Sequence, residues 1–162
     1  MTTRMIEGVS EIEDTFDAFI LDQYGVMHNG AEALPGALEC FDSLLKAGKK
    51  LVVLSNTSRR AKDATSKLPS LGFDTSHPAV VGLVCSGEET WKHIKEHRHG
   101  QKVLWLTWER ETAGDGTGYL DGLDLVKAGP EDADFVLCHG SDAIVSAGEP
   151  IMTGYQLSGD VS

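Results

Sequence analysis

A chain of 162 residues has the size of one ordinary domain and buries roughly 68–70% of its unfolded surface, so it needs no disulfide or metal staple to hold a core. Acidic residues outnumber basic ones by 25 to 14, a formal charge of −11, which opposes loose binding to nucleic acid or anionic membranes and requires local cations around any anionic ligand. Cys40, Cys85 and Cys138 are too scattered for a disulfide framework or zinc site and are expected as buried, reduced thiols. With no signal-type or membrane-length apolar run, the expectation is a soluble cytoplasmic protein with no nucleic-acid or membrane partner.

Ala18-Phe19-Ile20-Leu21 is a continuous apolar run, which suits a parallel-sheet strand buried on both faces. Asp22 ends it and Gly25 lets the chain turn. In open α/β sheets ligands bind outside the carboxyl ends of the strands, so an acid at that point is a site candidate. After Pro35-Gly36, the residues Ala37, Leu38, Phe41, Leu44 and Leu45 make one helical stripe. Lys46, Lys49 and Lys50 suit the negative end of its dipole, and Gly48 is its stop. Leu51-Val52-Val53-Leu54 is a second strand ending in Ser55-Asn56-Thr57-Ser58, a cluster that favours caps. Strand, helix and strand with short connections predict two parallel strands joined by a right-handed crossover. Asp22 and Ser55 then share one sheet edge.

The next helix is predicted from near Ser58, with Ala61, Ala64, Leu68 and Leu71 at helical spacing and Arg59 and Arg60 in its first turn. Pro69 ends or bends it and Gly72 closes it. Ala79 to Cys85 reads as a strand or as mixed loop and strand. Ser86 and Glu89 form a capping box for a helix to about His97. Lys102 to Leu106 is another short apolar run, Gly114 to Gly122 a glycine-dense connection, and Ala133 to Cys138 the last clear strand. From His139 onward no period is sustained. Strands alternating with helices define an α/β fold, and there is no internal repeat.

Taken alone, Asp22 is a loop carboxylate and Ser55-Asn56 a turn. Together, one crossover apart, they read as a site. A strand followed by Asp22-Gln23-Tyr24-Gly25-Val26, a helix opened by Pro35-Gly36, and a strand ending in Ser55-Asn56 resemble the haloacid dehalogenase superfamily of phosphohydrolases. Val26-Met27-His28-Asn29-Gly30, Leu34-Pro35-Gly36-Ala37 and Leu54-Ser55-Asn56 resemble its class IIA, NagD-like branch. The resemblance runs from about Asp17 to Gly140. It implies a Rossmann-like three-layer core with a parallel sheet, incomplete at its C-terminal side. On this reading residues 1–131 are the N-terminal part of the core and 132–162 the start of a cap or an unstructured tail, the chain stopping soon after the cap begins.

By the same resemblance Asp22 is the nucleophile that takes the phosphoryl group of a small phosphorylated metabolite. Asp22 and the backbone carbonyl of Tyr24 are implied ligands of Mg²⁺, and Ser55 with the N–H of Asn56 is implied to hold the phosphoryl oxygens. Gly25, His28, Asn56 and Arg59 complete the implied substrate contacts. At the position of Tyr24 the family carries a general-acid carboxyl group. A phenol is a far weaker acid and does not replace it at neutral pH without a large shift, which favours substrates with good leaving groups. The family's charge-balancing lysine and second acidic motif have no clear match: Lys127 sits in a predicted loop, and Gly159-Asp160 has no strand before it. His93 and His97, with His99 nearby, read as a solvated helix face, and Gly114 to Gly118 lacks the Gly-Lys-Ser/Thr ending of a phosphate loop. The rival expectation is a phosphate- or metabolite-binding module without catalysis, or an incomplete fragment.

Overall fold

A computed structural model describes residues 5–113, 116 and 118–154. They fall into two compact units: the chain up to Thr57 together with Ala61–Cys85, and Ser58–Arg60 together with the chain from Ser86 onward. The first unit begins with two short 3-10 turns, Val9–Glu11 and Glu13–Thr15. There follow β1 (Ala18–Asp22), α1 (Ala37–Lys46), β2 (Lys50–Ser55), α2 (Ala61–Ser70) and β3 (Val80–Cys85). The strands pair in the order β1-β2-β3, all parallel, as short strand–helix–strand connections require.

The stripe read from the sequence is the buried face of α1: Phe41, Leu44 and Leu45 pack with Leu51 and Val53 of β2, Leu68 of α2, and Met27 and Phe73. Burying a side chain of this size stabilises by about 1.5–3 kcal/mol, so this cluster fastens both helices to the sheet. It lies on one face only. Phe19 and Leu21 of β1 pack against it, whereas Ile20 is 70% exposed and the strand alternates along its length. The expected burial of β1 on both faces is therefore corrected: among the described residues, α1 and α2 feed a single cluster on a single side. β3, ambiguous between strand and loop in the sequence, pairs from Leu51↔Val80 to Ser55↔Cys85. The register slips between Leu51 and Val52, leaving Val81 as the extra residue of a bulge.

α2 starts at Ala61 rather than near Ser58, so Arg59 and Arg60 precede the helix instead of forming its first turn. The reason is tertiary. The Trp108 Nε1–H donates to Ser58 Oγ at 3.2 Å. Arg60 donates twice to the Glu88 carboxylate, at 2.7 and 3.1 Å, with its guanidinium 3.8 Å from the Trp91 ring centroid. Bonds of this kind override local helix propensity. A side chain at Gly87 would meet the carbonyl oxygens of Ser58 and Arg59 at 2.1 and 2.3 Å, so only glycine allows this approach.

The second unit continues with α3 (Ser86–His97), β4 (Lys102–Thr107), α4 (Glu109–Thr112), β5 (Val126–Lys127), β6 (Phe135–Cys138), β7 (Ala143–Val145) and β8 (Ile151–Met152). β4 pairs parallel with β5 and β6 and antiparallel with β7, which pairs antiparallel with β8. Ile94 of α3 packs with Val103, Trp105, Tyr119, Leu137 and Val145. α3, β4 and β6 lie where the sequence places them. The strands β5, β7 and β8 are missed there because two or three residues cannot display a period. Cys85 is buried as expected, but Cys138 is exposed, because β6 alternates and turns Leu137 inward. No helix among the described residues is long and apolar enough to cross a membrane.

His139 is 5% exposed. Its ring stacks on Tyr119 at 4.0 Å and Trp105 at 6.0 Å, and Nδ1 shares a 3.0 Å hydrogen bond with Thr107 Oγ1. Burial is the main cause holding its proton affinity below the ordinary histidine value of 6.5; Arg110 adds to this, while Glu111 and a bond to the Ser58 main chain oppose it. The unfolded chain therefore binds this proton more readily, so the contribution is full above about pH 6.5 and is lost as pH falls toward the lower folded value. All three tryptophans, Trp91, Trp105 and Trp108, belong to this unit. Urea unfolding followed by tryptophan fluorescence is expected to show a midpoint that drops from pH 7.5 to pH 5.5, with a shallower drop in His139→Asn.

Candidate functional site

The register Asp22↔Leu54 places Ser55 one residue further along the neighbouring strand, at the same carboxyl edge. Strand alternation then separates their surroundings: Asp22 is exposed, whereas Ser55 is 7% exposed. Asp22 Oδ1 accepts the Gln23 N–H at 2.8 Å, which orients the carboxylate. The Gln23 side chain is buried and donates through Nε2 to the Ala64 carbonyl at 3.3 Å. Ser55 Oγ accepts the Thr57 N–H at 3.3 Å. A hydroxyl has one donor and two acceptor sites, so this bond uses an acceptor and not the donor.

The turn after Asp22 closes on itself. The Met27 and His28 N–H groups donate to the Gln23 carbonyl at 3.0 and 3.3 Å, and the Gly25 N–H donates to the His28 carbonyl at 2.8 Å. Gly25 has φ 81°, the left-handed conformation that glycine adopts without cost. Tyr24 is 67% exposed, with its ring edge-on to that of His28 at 6.1 Å. His28 is 6% exposed, and its Nδ1 accepts the Gly30 N–H at 2.9 Å. Nδ1 is thus the acceptor and Nε2 carries the proton of the neutral ring; Nε2 is buried with no partner among the described residues. Burial first, then the Lys67 charge, hold this imidazole below the usual histidine value.

Six of the predicted site residues, Asp22, Tyr24, Gly25, His28, Ser55 and Asn56, therefore lie in the first unit, while Arg59 belongs to the second. Asn56 is exposed and α2 begins only at Ala61, so the helix does not follow directly on Ser55-Asn56. Two residues escaped the sequence reading. Gln23 ties the turn to the Ala64 carbonyl of α2, Lys67 of α2 reaches back through Nζ to the Gly30 carbonyl, and no local pattern marks either because the pairing exists only once the helix packs. Lys127 lies exposed in β5 with Nζ 5.6 Å from the Trp105 ring centroid. The rings of His93 and His97 meet edge-on, 4.7 Å between centroids, on an open helix face. No group of three or more His, Cys, Asp or Glu gathers as a metal cage among the described residues. Asp115, Thr117, Gly159 and Asp160 lie outside those residues.

A parallel α/β sheet with a carboxylate and a hydroxyl on adjacent strand ends is a Rossmann-like arrangement. The chain matches the haloacid dehalogenase-like hydrolases over residues 19–113 and belongs to that family. It is 29% identical over 123 residues to the sugar-phosphatase AraL of Bacillus subtilis, covering 73% of this chain and 41% of AraL. It is 42% identical over 55 residues to human chronophin, covering 33% of this chain and 19% of chronophin. The crystal structure of a haloacid dehalogenase-like hydrolase from Brucella suis 1330 superposes with a TM-score of 0.67 at 26% identity, over 85% of this chain and 47% of that one. AraL and chronophin are of the class IIA, NagD-like kind, and this chain spans less than half the length of each of these three proteins.

A Cβ at Gly25 would meet nothing within 4 Å, so Gly25→Ala introduces backbone strain alone. The expected loss is about 1–2 kcal/mol of first-unit stability, read as a lower urea midpoint by far-ultraviolet circular dichroism.

Proposed function

We propose that this chain is part of a Mg²⁺-dependent phosphatase that transfers the phosphoryl group of a small phosphorylated metabolite to Asp22. The observation that carries this reading is the placement of Asp22 and Ser55 on adjacent parallel strand ends, in a family whose matched members include named phosphatases. An Asp22 carboxylate oxygen attacks phosphorus, the bond from phosphorus to the leaving oxygen breaks, and that oxygen takes a proton from water. A second water then attacks phosphorus of the aspartyl-phosphate, releasing inorganic phosphate and restoring Asp22. The Ser55 hydroxyl donates to a phosphoryl oxygen, and the Asn56 N–H adds a further donor.

The residues present fit the metal. The Asp22 carboxylate and Tyr24 carbonyl are oxygen donors on an exposed strand end, the chemistry favoured by a hard cation that keeps most of its waters. When bound, Mg²⁺ would shield the negative phosphate from the approaching carboxylate. His28 keeps a supporting part, since its Nδ1 is committed to Gly30.

Tyr24 in place of a carboxyl group favours a second reading, a phosphate-binding module with little turnover, because missing acid–base help costs about 10²–10⁴-fold in rate. Steady-state hydrolysis of p-nitrophenyl phosphate with Mg²⁺ separates the two. The phosphatase reading expects turnover that Asp22→Asn abolishes and Ser55→Ala lowers by roughly 10²–10³-fold, with aryl phosphates preferred to alkyl ones. Beryllium fluoride binding that depends on Asp22, in a folded protein with no turnover, would establish the binding module instead.

A further inference from the structure

We propose that Lys67 of α2 is a positioning residue for the turn that follows Asp22, acting through Gly30; its catalytic consequence rests on the reading of Asp22 as nucleophile. α2 reaches the turn at two points. The Gln23 Nε2 donates to the Ala64 carbonyl at 3.3 Å, and the Lys67 Nζ donates to the Gly30 carbonyl. Ala64 and Lys67 are three residues apart and so share one helix face. The helix therefore holds the turn at the residue next to Asp22 and again at Gly30.

Gly30 is gripped from both sides, its N–H by His28 Nδ1 at 2.9 Å and its carbonyl by Lys67. It also carries the Tyr24 ring: with φ 96°, a Cβ at Gly30 would stand 3.3 Å from Tyr24 Cε2, and the same ring meets His28 edge-on. The Tyr24 carbonyl, the implied metal ligand, thus lies between two anchor points on α2, at Gln23 and Gly30, and the nucleophile Asp22 directly precedes the first. Removing Lys67 leaves Gln23 as the side-chain hydrogen bond from the turn to α2 among the described residues, and leaves the Gly30 peptide held through its N–H by His28.

Amide hydrogen exchange of the full chain, read at Gly25, Met27, His28 and Gly30, tests the clamp without reference to activity. Lys67→Met and Lys67→Gln are expected to speed these four amides by about tenfold through local opening. Lys67→Arg, which keeps a donor of similar reach, restores the protection, and Lys62→Met on the same helix leaves it unchanged. In p-nitrophenyl phosphate hydrolysis the Met and Gln variants are expected to lose about tenfold in kcat with KM changed by less than about twofold, as misplacement of reacting groups does. Wild-type protection in both the Met and Gln variants, or equal loss in Lys62→Met, overturns the proposal. A wild-type chain without turnover sinks the phosphatase reading alone, since the exchange measurements still decide the clamp.

Discussion

The parallel pairing of β1 with β2 is the constraint on which the candidate site depends. Five consecutive pairs from Ala18↔Lys50 to Asp22↔Leu54 fix where each strand ends, and the evenly spaced bonds of a parallel ladder tolerate no slip without turning every side chain to the opposite face. With that register, the Asp22 carboxylate is presented outward and the Ser55 hydroxyl inward, one residue apart along the sheet edge. The hydrophobic residues behind the two strand ends set where each stands along the sheet edge.

Those residues stabilise the first unit from one side. Leu51, Val53, Phe41, Leu44 and Leu68 are buried together, while Ile20, Leu54, Val81 and Val84 keep 70, 49, 63 and 42% of their surface exposed. The site therefore stands on a sheet whose support is asymmetric. The turn after Asp22 draws its order from the covered side, through Gln23 and Lys67, and α2 serves the core with Leu68 and the turn with Ala64 and Lys67.

Much of this was legible in the sequence. The apolar runs locate β1, β2 and β4, and the spacing of Phe41, Leu44 and Leu45 marks the buried face of α1. Asp22 and Ser55 stood out because each ended an apolar run beside turn residues. Legibility failed wherever a distant partner decided the outcome. The start of α2 is set by Glu88, Trp91 and Trp108 acting on Ser58–Arg60, contacts that no window of neighbouring residues contains. The exposure of Ile20 depends on which side of the sheet the helices occupy, and a continuous apolar run cannot announce that. His28 was visible as a histidine near a carboxylate, but its inward orientation follows from a bond to Gly30 within a turn whose shape the sequence only sketched.

The excursion of Ser58–Arg60 into the second unit orders events in time. Arg60 leaves the ribosome 28 residues ahead of Glu88, and Ser58 50 residues ahead of Trp108. Their hydrogen bonds cannot close until those later residues exist. The two-stranded pairing that presents Asp22 and Ser55 uses no residue beyond Ser55, so all of its partners are synthesised before Glu88 and Trp108. The segment leading away from Ser55, by contrast, acquires its native shape only during synthesis of the second unit, so the proposed phosphate-binding loop is among the last parts of the first hundred residues to be completed.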